Sequence, residues 1–318
     1  MAVRATDAGG GEAHATILLV ARWPDHPGAL VGLGDSVASG HGLSWRDYLG
    51  RDRCWRAEDE AYPRLVRDRW EVERGGGDGF ALVACSGATA ADLLEEPVGG
   101  GLPGTGPDGG GPLPQVEWAV RANPGLVTVT VGANDLRFTH PDESLDADGR
   151  VDAGAVTERL GGLADSLDRA LRRLVEATDA VVVVTGYHDP TAERPHGVPG
   201  CEETCFRRAA AEVVARLNRT LRTVAERFPT ERVRFADVAP AFEGHAAPNG
   251  LGPDGWRSGD LPGPLGDLFE ATTGGTSPYC AVGHPDGDPW VSSLDCVHPN
   301  GAGARAYADA VRAAWQGT

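Results

Sequence analysis

Lysine is absent from this 318-residue chain, so all of its basic residues other than histidine are arginines, and a phosphate-binding loop of the Gly-x-x-x-x-Gly-Lys type is excluded. Positive charge is scarce as well. Twenty-nine basic residues stand against 46 acidic ones, a net charge of −17. A field of that sign repels phosphate backbones and anionic membrane surfaces, so nucleic acid is not expected as a partner. Long apolar runs are missing too. The longest, Ala15 to Ala21 and Ala180 to Thr185, fall far short of a bilayer span, which excludes an integral membrane segment. No His-Glu-x-x-His metalloprotease motif occurs, and no Gly-x-Ser-x-Gly, which argues against the α/β-hydrolase elbow.

What is present is a globular composition rich in loops: 41% hydrophobic residues, 45 glycines and 23 prolines. Six cysteines (Cys54, Cys85, Cys201, Cys205, Cys280 and Cys296) in an acidic, loop-rich chain suggest disulfides and an oxidising compartment, with 15 connectivities open. A zinc site from His196, Cys201 and Cys205 is the rival reading. Its spacing fits no standard zinc signature and a fourth ligand is not evident, so no metal is expected. The N-terminus carries Arg4 but also Asp7 and Glu12, the wrong charge for the start of a signal peptide, and Arg22 follows the short apolar stretch. Residues 1–27 therefore read as a leader of undetermined structure, and residues 28–318 as a single domain.

Along that domain, short apolar runs alternate with helical periodicity. Strands are expected at Ala29–Gly32, Ala81–Ala84, Leu126–Val131, Val181–Val184 and Arg232–Val238. Helices are expected at Gln115–Ala122, around Leu160, Leu163, Leu167, Leu171 and Leu174, around Val213, Leu217, Leu221 and Val224, and after Pro299. Glycine and proline break residues 97–113, and a long irregular stretch covers 243–293. Strands alternating with helices imply a three-layer α/β/α sandwich on a mostly parallel sheet, with no internal repeat.

In such a sheet, ligands gather at the carboxyl ends of the strands. Three strands end in short polar turns: Asp35-Ser36, Ser86-Gly87 and Asn134-Asp135. Ser36 offers a hydroxyl nucleophile at a sharp turn. Gly87 offers a backbone N–H with no side chain in the way. Asn134 offers a neutral amide for a developing oxyanion. Asp295-Cys296-Val297-His298 supplies a base, His298, with a carboxylate three residues away to fix its tautomer. Each piece alone is a weak signal. A Gly-Asp-Ser triplet is unremarkable in so glycine-rich a chain, and an Asp–His pair is often only a surface ion pair. All pieces in order, three at strand ends, form a strong joint one.

These four ordered blocks (Gly34-Asp35-Ser36, Gly87, Gly132-Ala133-Asn134-Asp135 and Asp295-x-x-His298) resemble those of the GDSL, or SGNH, hydrolase superfamily. The wider runs Gly32 to Gly40, Ala84 to Thr89 and His298-Pro299-Asn300 are similar to its secreted actinobacterial esterases and lipases. The resemblance spans about residue 29 to the C-terminus. It implies a flavodoxin-like α/β/α sandwich that cleaves carboxylic acyl esters without a cofactor. Ser36 would be the nucleophile, His298 the base and then acid, and Asp295 the orienting carboxylate. The N–H groups of Ser36 and Gly87 and the Asn134 amide would form the oxyanion hole. A carbohydrate O-acyl esterase using the same site, or a silent binding protein of the same fold, are the alternatives, and secretion or cell-surface display is the implied location. Cys54 and Cys85 flank the first two blocks as in disulfide-bearing relatives, and the most economical full pairing adds Cys201 with Cys205 and Cys280 with Cys296.

Other features invite plainer readings. His140 and His188 follow strands and are expected as solvated loop histidines, although they are placed to line a pocket. Trp256, Trp290 and Trp315 suit core or rim packing, with Trp290 also able to flank an acyl or sugar pocket. The sequon Asn218-Arg219-Thr220 falls inside an expected helix and is discounted.

Overall fold

Five short, largely apolar runs build the central sheet, two of them, Leu126–Thr130 and Val181–Thr185, made only of Leu, Val and Thr. The structure, a computed structural model, describes residues 2–6, 12–16, 29–43, 54–74, 79–95, 113–137, 151–189, 201–243, 245, 290 and 298–317. Numbered in chain order, the N-terminal strands are β1 (Ala2–Thr6) and β2 (Glu12–Thr16), an antiparallel pair within the segment expected to be a leader. The main sheet holds β3 (Leu30–Gly34), β4 (Phe80–Leu82), β5 (Leu126–Thr130), β6 (Val181–Thr185) and β7 (Val233–Ala236). Their order is β4-β3-β5-β6-β7 and every pairing is parallel. All residues of β3 and β5 are buried, as expected for strands covered on both faces.

Helices α1 (Ser36–Ser39), α2 (Tyr62–Arg74), α3 (Gln115–Ala122), α4 (Ala153–Ala177), α5 (Cys201–Ala225) and α6 (Gly301–Gln316) complete the frame. Helix α2 packs on α6 over one side of the sheet, while α3, α4 and α5 pack in a row over the other. The result is the expected three-layer sandwich. Leu160, Leu163, Leu167, Leu171 and Leu174 form the buried stripe of α4, each contributing roughly 1.5–3 kcal/mol over an exposed leucine. Asp152 caps that helix by accepting from Gly154 and Ala155 N–H groups.

The element positions depart from the sequence reading in instructive ways. Helix α2 was not anticipated. Among its described side chains Tyr62, Pro63 and Val66 are buried and Leu65 packs half-buried on the core, interrupted by Arg64, Arg67, Asp68 and Arg69. The first strand runs to Gly34, two residues beyond the expected end, because its parallel ladder with β5 continues to Gly34 beside Thr130, while Gln115 on α3 also accepts from Gly34 N–H and donates to its C=O, at 2.8 and 3.0 Å. A side chain cannot replace that glycine. Its φ is +130°, and a Cβ would stand 1.9 Å from Thr130 O.

Register aligns the strand ends. Leu30 stands beside Leu126 and Gly34 beside Thr130, while Leu126 stands beside Val181. The carboxyl ends of β3, β5 and β6 therefore open on one edge. The chain leaves β3 toward β4 and returns to the opposite side of β3 as β5, so the topological switch point lies between β3 and β5, where ligands of such sheets bind.

Candidate active site

Ser36 is the first residue of α1 and sits at that switch point. Asp35 precedes it as the helix cap: its Oδ1 accepts from Val37 N–H at 2.9 Å, and its own N–H donates to Thr130 O at 2.9 Å. Helix α1 lasts one turn and stops at Gly40, which adopts the left-handed conformation that glycine takes readily. The nucleophile candidate is thereby raised at the carboxyl edge of the sheet, half-buried rather than enclosed.

His298 meets it from the opposite end of the sequence. Its Nε2 lies 2.7 Å from Ser36 Oγ. The following residues fix that position. Asn300 caps α6 by accepting from Ala302 and Gly303 N–H groups, and its own N–H donates to Trp290 O at 2.9 Å. Helix α6 seats closely there, since a Cβ on Gly303 would stand 2.2 Å from Trp290 O. Asp295 lies outside the described residues, as do Cys280 and Cys296.

After β4, Cys85 C=O accepts from Ala88 N–H at 3.0 Å, closing a tight turn around Ser86 and Gly87. Gly87 has φ +87°, as the third position of a type II turn demands, and the place where a Cβ would point is open. The Cys54–Cys85 disulfide anchors this turn, Ser86 N–H donates to Cys54 O at 3.1 Å, and buried Arg56 donates to Ala84 O at 2.7 Å. After β5, Asn134 Nδ2 donates to Ala88 O at 2.9 Å while the Asp135 carboxylate accepts from Ala90 N–H at 3.0 Å. These two residues tie the third turn to the second. Three of the expected turns are thus linked at one edge, and Cys54 and Cys85 are bonded as the family resemblance implied. The side chains of Cys201 and Cys205 lie outside the described set.

The electrostatics centre on Asp35. Full burial pushes its carboxyl up to about 6, an effect opposed by the Tyr187 hydroxyl hydrogen bond, the Val37 N–H and the nearby His298. Tyr187 is itself held well above the usual phenol range by burial and by the Asp35 charge, so it stays a donor. Burial likewise pushes Asp135 up to about 6.

Sequence reasoning missed three residues here. Tyr187 follows β6 as Asn134 follows β5, and the common strand-end register was the signal for it. Gln115 carried no signal. His41, five residues after Ser36, stacks on His298 with ring centroids 4.4 Å apart and planes 4° from parallel. His188 is a correction: it is buried, with Nδ1 3.0 Å from the Tyr307 hydroxyl and its ring stacked on Phe242, because Gly186-Tyr187-His188 turns inward under α6 and is no solvated loop. His140, His196 and Trp256 lie outside the described residues. Trp290 packs edge-on against Phe242 and stacks on His245, a packing role. Asn218 faces inward from α5, accepting from Tyr187 N–H and donating to Tyr187 O, which suits the discounted sequon. No group of three or more His, Cys, Asp or Glu side chains among the described residues is arranged to hold a metal ion.

The profile of the GDSL-like lipase/acylhydrolase family matches residues 33–306. No curated protein matches the chain in sequence. Among solved structures, the chain is similar to the extracellular lipase of Streptomyces rimosus at 20% identity and TM-score 0.56, covering 90% of this chain and 99% of that one. Phospholipase A1 of Streptomyces albidoflavus NA297 matches at 22% identity and TM-score 0.50, over 90% and 98% of the two chains. The lipase Lip_vut3 from a goat rumen metagenome matches at 15% and TM-score 0.53, over 90% and 96%. At these identities the structural likeness speaks for the fold.

Proposed function

Because the chain belongs to the GDSL-like lipase/acylhydrolase family and is therefore an ester hydrolase, we propose that it cleaves carboxylic esters through an acyl-enzyme on Ser36. The observation that carries this reading is the 2.7 Å contact between His298 Nε2 and Ser36 Oγ, joining groups 262 residues apart in sequence. His298 takes the Ser36 proton as Oγ bonds to the substrate carbonyl carbon. The resulting imidazolium then protonates the departing alcohol oxygen as its bond to that carbon breaks. Water attacks the acyl-enzyme by the same route in reverse, returning the serine and releasing the carboxylic acid.

The remaining roles follow the family's ordered blocks. Asp295 holds His298 in the tautomer with Nε2 unprotonated. The Ser36 and Gly87 N–H groups and the Asn134 amide receive the oxyanion. The positive φ and open side of Gly87 support its part. For Asn134, the amide nitrogen carries two hydrogens and Ala88 O accepts one of them. The Cys54–Cys85 disulfide supports a working place outside the reducing cytosol. Among the described residues no helix is long and apolar enough to cross a membrane.

A fluorophosphonate probe should label one peptide, that of Ser36. Ser36→Ala should lose at least about 10³-fold in kcat while keeping its near-UV circular dichroism, since one hydroxyl contributes little to the fold. Unchanged turnover in a folded Ser36→Ala protein would overturn the mechanism.

A further inference from the structure

Two serine–histidine pairs lie side by side at the carboxyl edge of the sheet. Ser36 Oγ meets His298 Nε2 at 2.7 Å, and Ser86 Oγ meets His41 Nδ1 at 2.9 Å. The two imidazoles are stacked, centroids 4.4 Å apart and planes 4° from parallel. His41 is only 6% exposed, an unusual burial for a histidine with no part in the acyl-transfer steps above.

The surroundings of His41 are built to hold it. Its N–H donates to Ser36 O at 3.0 Å, so its backbone is tied to the nucleophile residue itself. Gly40 turns the chain there with φ +81°, in a space where a Cβ would meet Ala61 and Ala57 at 2.9 and 3.0 Å. The Trp55 ring tilts against His41 with centroids 4.4 Å apart, and Trp55 adopts φ +50°, a conformation bulky residues rarely take. Strain of that kind at a ring contact beside the catalytic pair points to a positional demand. Trp55 follows Cys54 and Ser86 follows Cys85, so the disulfide lies beside two of His41's partners.

We propose that His41 is a positioning residue for His298, a clamped aromatic wall that holds the general base's ring in the plane from which Nε2 reaches Ser36 Oγ. The inference rests on the reading of Ser36 and His298 given above. His298 must change proton partners twice in each turnover, and it works only while Nε2 stays aimed at the serine and then at the leaving group. A ring free to turn about its Cβ–Cγ bond would carry Nε2 off that line, and misplacement by about 1 Å costs on the order of 10²-fold in rate. Stacking on a fixed ring resists that rotation. A histidine serves better than a phenylalanine because its Nδ1 reaches Ser86, so the wall is fastened to the turn that carries Gly87 and base and oxyanion donor keep one spacing.

The test separates ring from hydrogen bond. His41→Phe keeps a flat ring and loses the Ser86 contact; His41→Gln keeps a polar group for Ser86 and loses the ring. Steady-state kinetics on a short-chain aryl ester, with near-UV circular dichroism as the check on folding, should show His41→Gln reduced about 10²-fold in kcat with KM changed by less than about 3-fold. His41→Phe should recover to within about 10-fold of the parent. A Phe variant as impaired as the Gln variant, or losses confined to KM, would overturn the proposal. Wild-type kcat in both variants, while Ser36→Ala is inactive, would defeat this inference and leave the catalytic pair standing. Turnover surviving in Ser36→Ala would instead defeat that reading. Fluorophosphonate label appearing on Ser86 in the Ser36→Ala protein would make His41 a base in its own right and refute the positioning role.

Discussion

A carboxylate buried under the proposed nucleophile has a cost and, on the proposed mechanism, a gain. Asp35 is fully enclosed and its carboxyl is pushed up to about 6 from an ordinary 3.8. The native state therefore binds its proton more tightly than the unfolded chain does. Stability on this account falls as pH rises from about 4 to about 6 and is level above that, a loss of about 3 kcal/mol at neutral pH. In return, the anion lies close enough to His298 to favour a charged imidazole there, which on the mechanism proposed above is the imidazolium formed when Ser36 gives up its proton. Asp35→Asn should preserve the helix cap, since asparagine caps as well as aspartate. It should also raise the urea midpoint at pH 7 while lowering kcat by about 10-fold or more. A variant less stable than its parent at pH 7 yet fully active would make Asp35 a cap and nothing else. The candidates Ser36, Gly87, Asn134 and His298 were legible in sequence by their order along the chain, three of them at strand ends, since each alone is a weak signal. Tyr187, His41 and Gln115 were not. Their contacts join residues 152, 45 and 81 positions apart, and no local pattern encodes such a meeting.

Among elements, the strands were readable because a parallel sheet covered on both faces needs nearly continuous apolar runs, and Leu126–Thr130 and Val181–Thr185 provide them. The leucine stripe of α4 was readable for the same reason at a period of 3.6. Helices α1 and α2 were not, since one turn is too short for a periodic signal and the sequence of α2 mixes its apolar residues with Arg64, Arg67, Asp68, Arg69, Glu71, Glu73 and Arg74. Strand ends slipped because β3 keeps pairing with β5 as far as Gly34, beside Thr130, past the apolar run that marked it in sequence. Gln115, the first residue of α3, is completely buried and satisfies both polar groups of Gly34. Gln115→Glu tests this link with a sign. Protonated glutamic acid still supplies one donor and one acceptor, enough for the two contacts Gln115 makes with Gly34, whereas the carboxylate would set an anion against Gly34 O. Burial raises the new group's folded pKa above its unfolded 4.3, so stability is fully present below about 4.3 and is lost as pH rises through the folded value. The unfolding free energy of Gln115→Glu from urea titrations, measured relative to the parent from about pH 4 to 8, should fall by about 1–3 kcal/mol and then level off once the carboxyl is ionised. A difference that does not change with pH would show that Gln115 is held for its shape alone.

Across the molecule, the hydrophobic core and the disulfide occupy separate places. Leucines, valines and alanines of the sheet and its helices form one continuous core, whereas Cys54, Cys85 and Ala88 make a small cluster of their own beside the catalytic edge. The bridge closes a span of 31 residues, which on chain-entropy grounds removes about 3–4 kcal/mol of freedom from the unfolded state. A chain of this length buries enough surface to fold without that help. Its local effect is sharper. Ser86 N–H is bonded to Cys54 O, Trp55 leans on His41, and Gly87 lies two residues beyond Cys85, so the cross-link fastens the turn that carries Gly87 and the ring stacked on His298. Loss of activity should therefore precede loss of fold. In a Cys54→Ala/Cys85→Ala protein, kcat on a short-chain ester should fall by about 10-fold or more at 25 °C while the near-UV spectrum is largely kept, and titrating the parent with reductant should show activity declining before the spectrum does. Full turnover in the double variant would show that the turns need no brace. Coincident loss of turnover and of near-UV signal would place the bridge in the stability of the whole domain, outweighing the core that the sheet and helices supply.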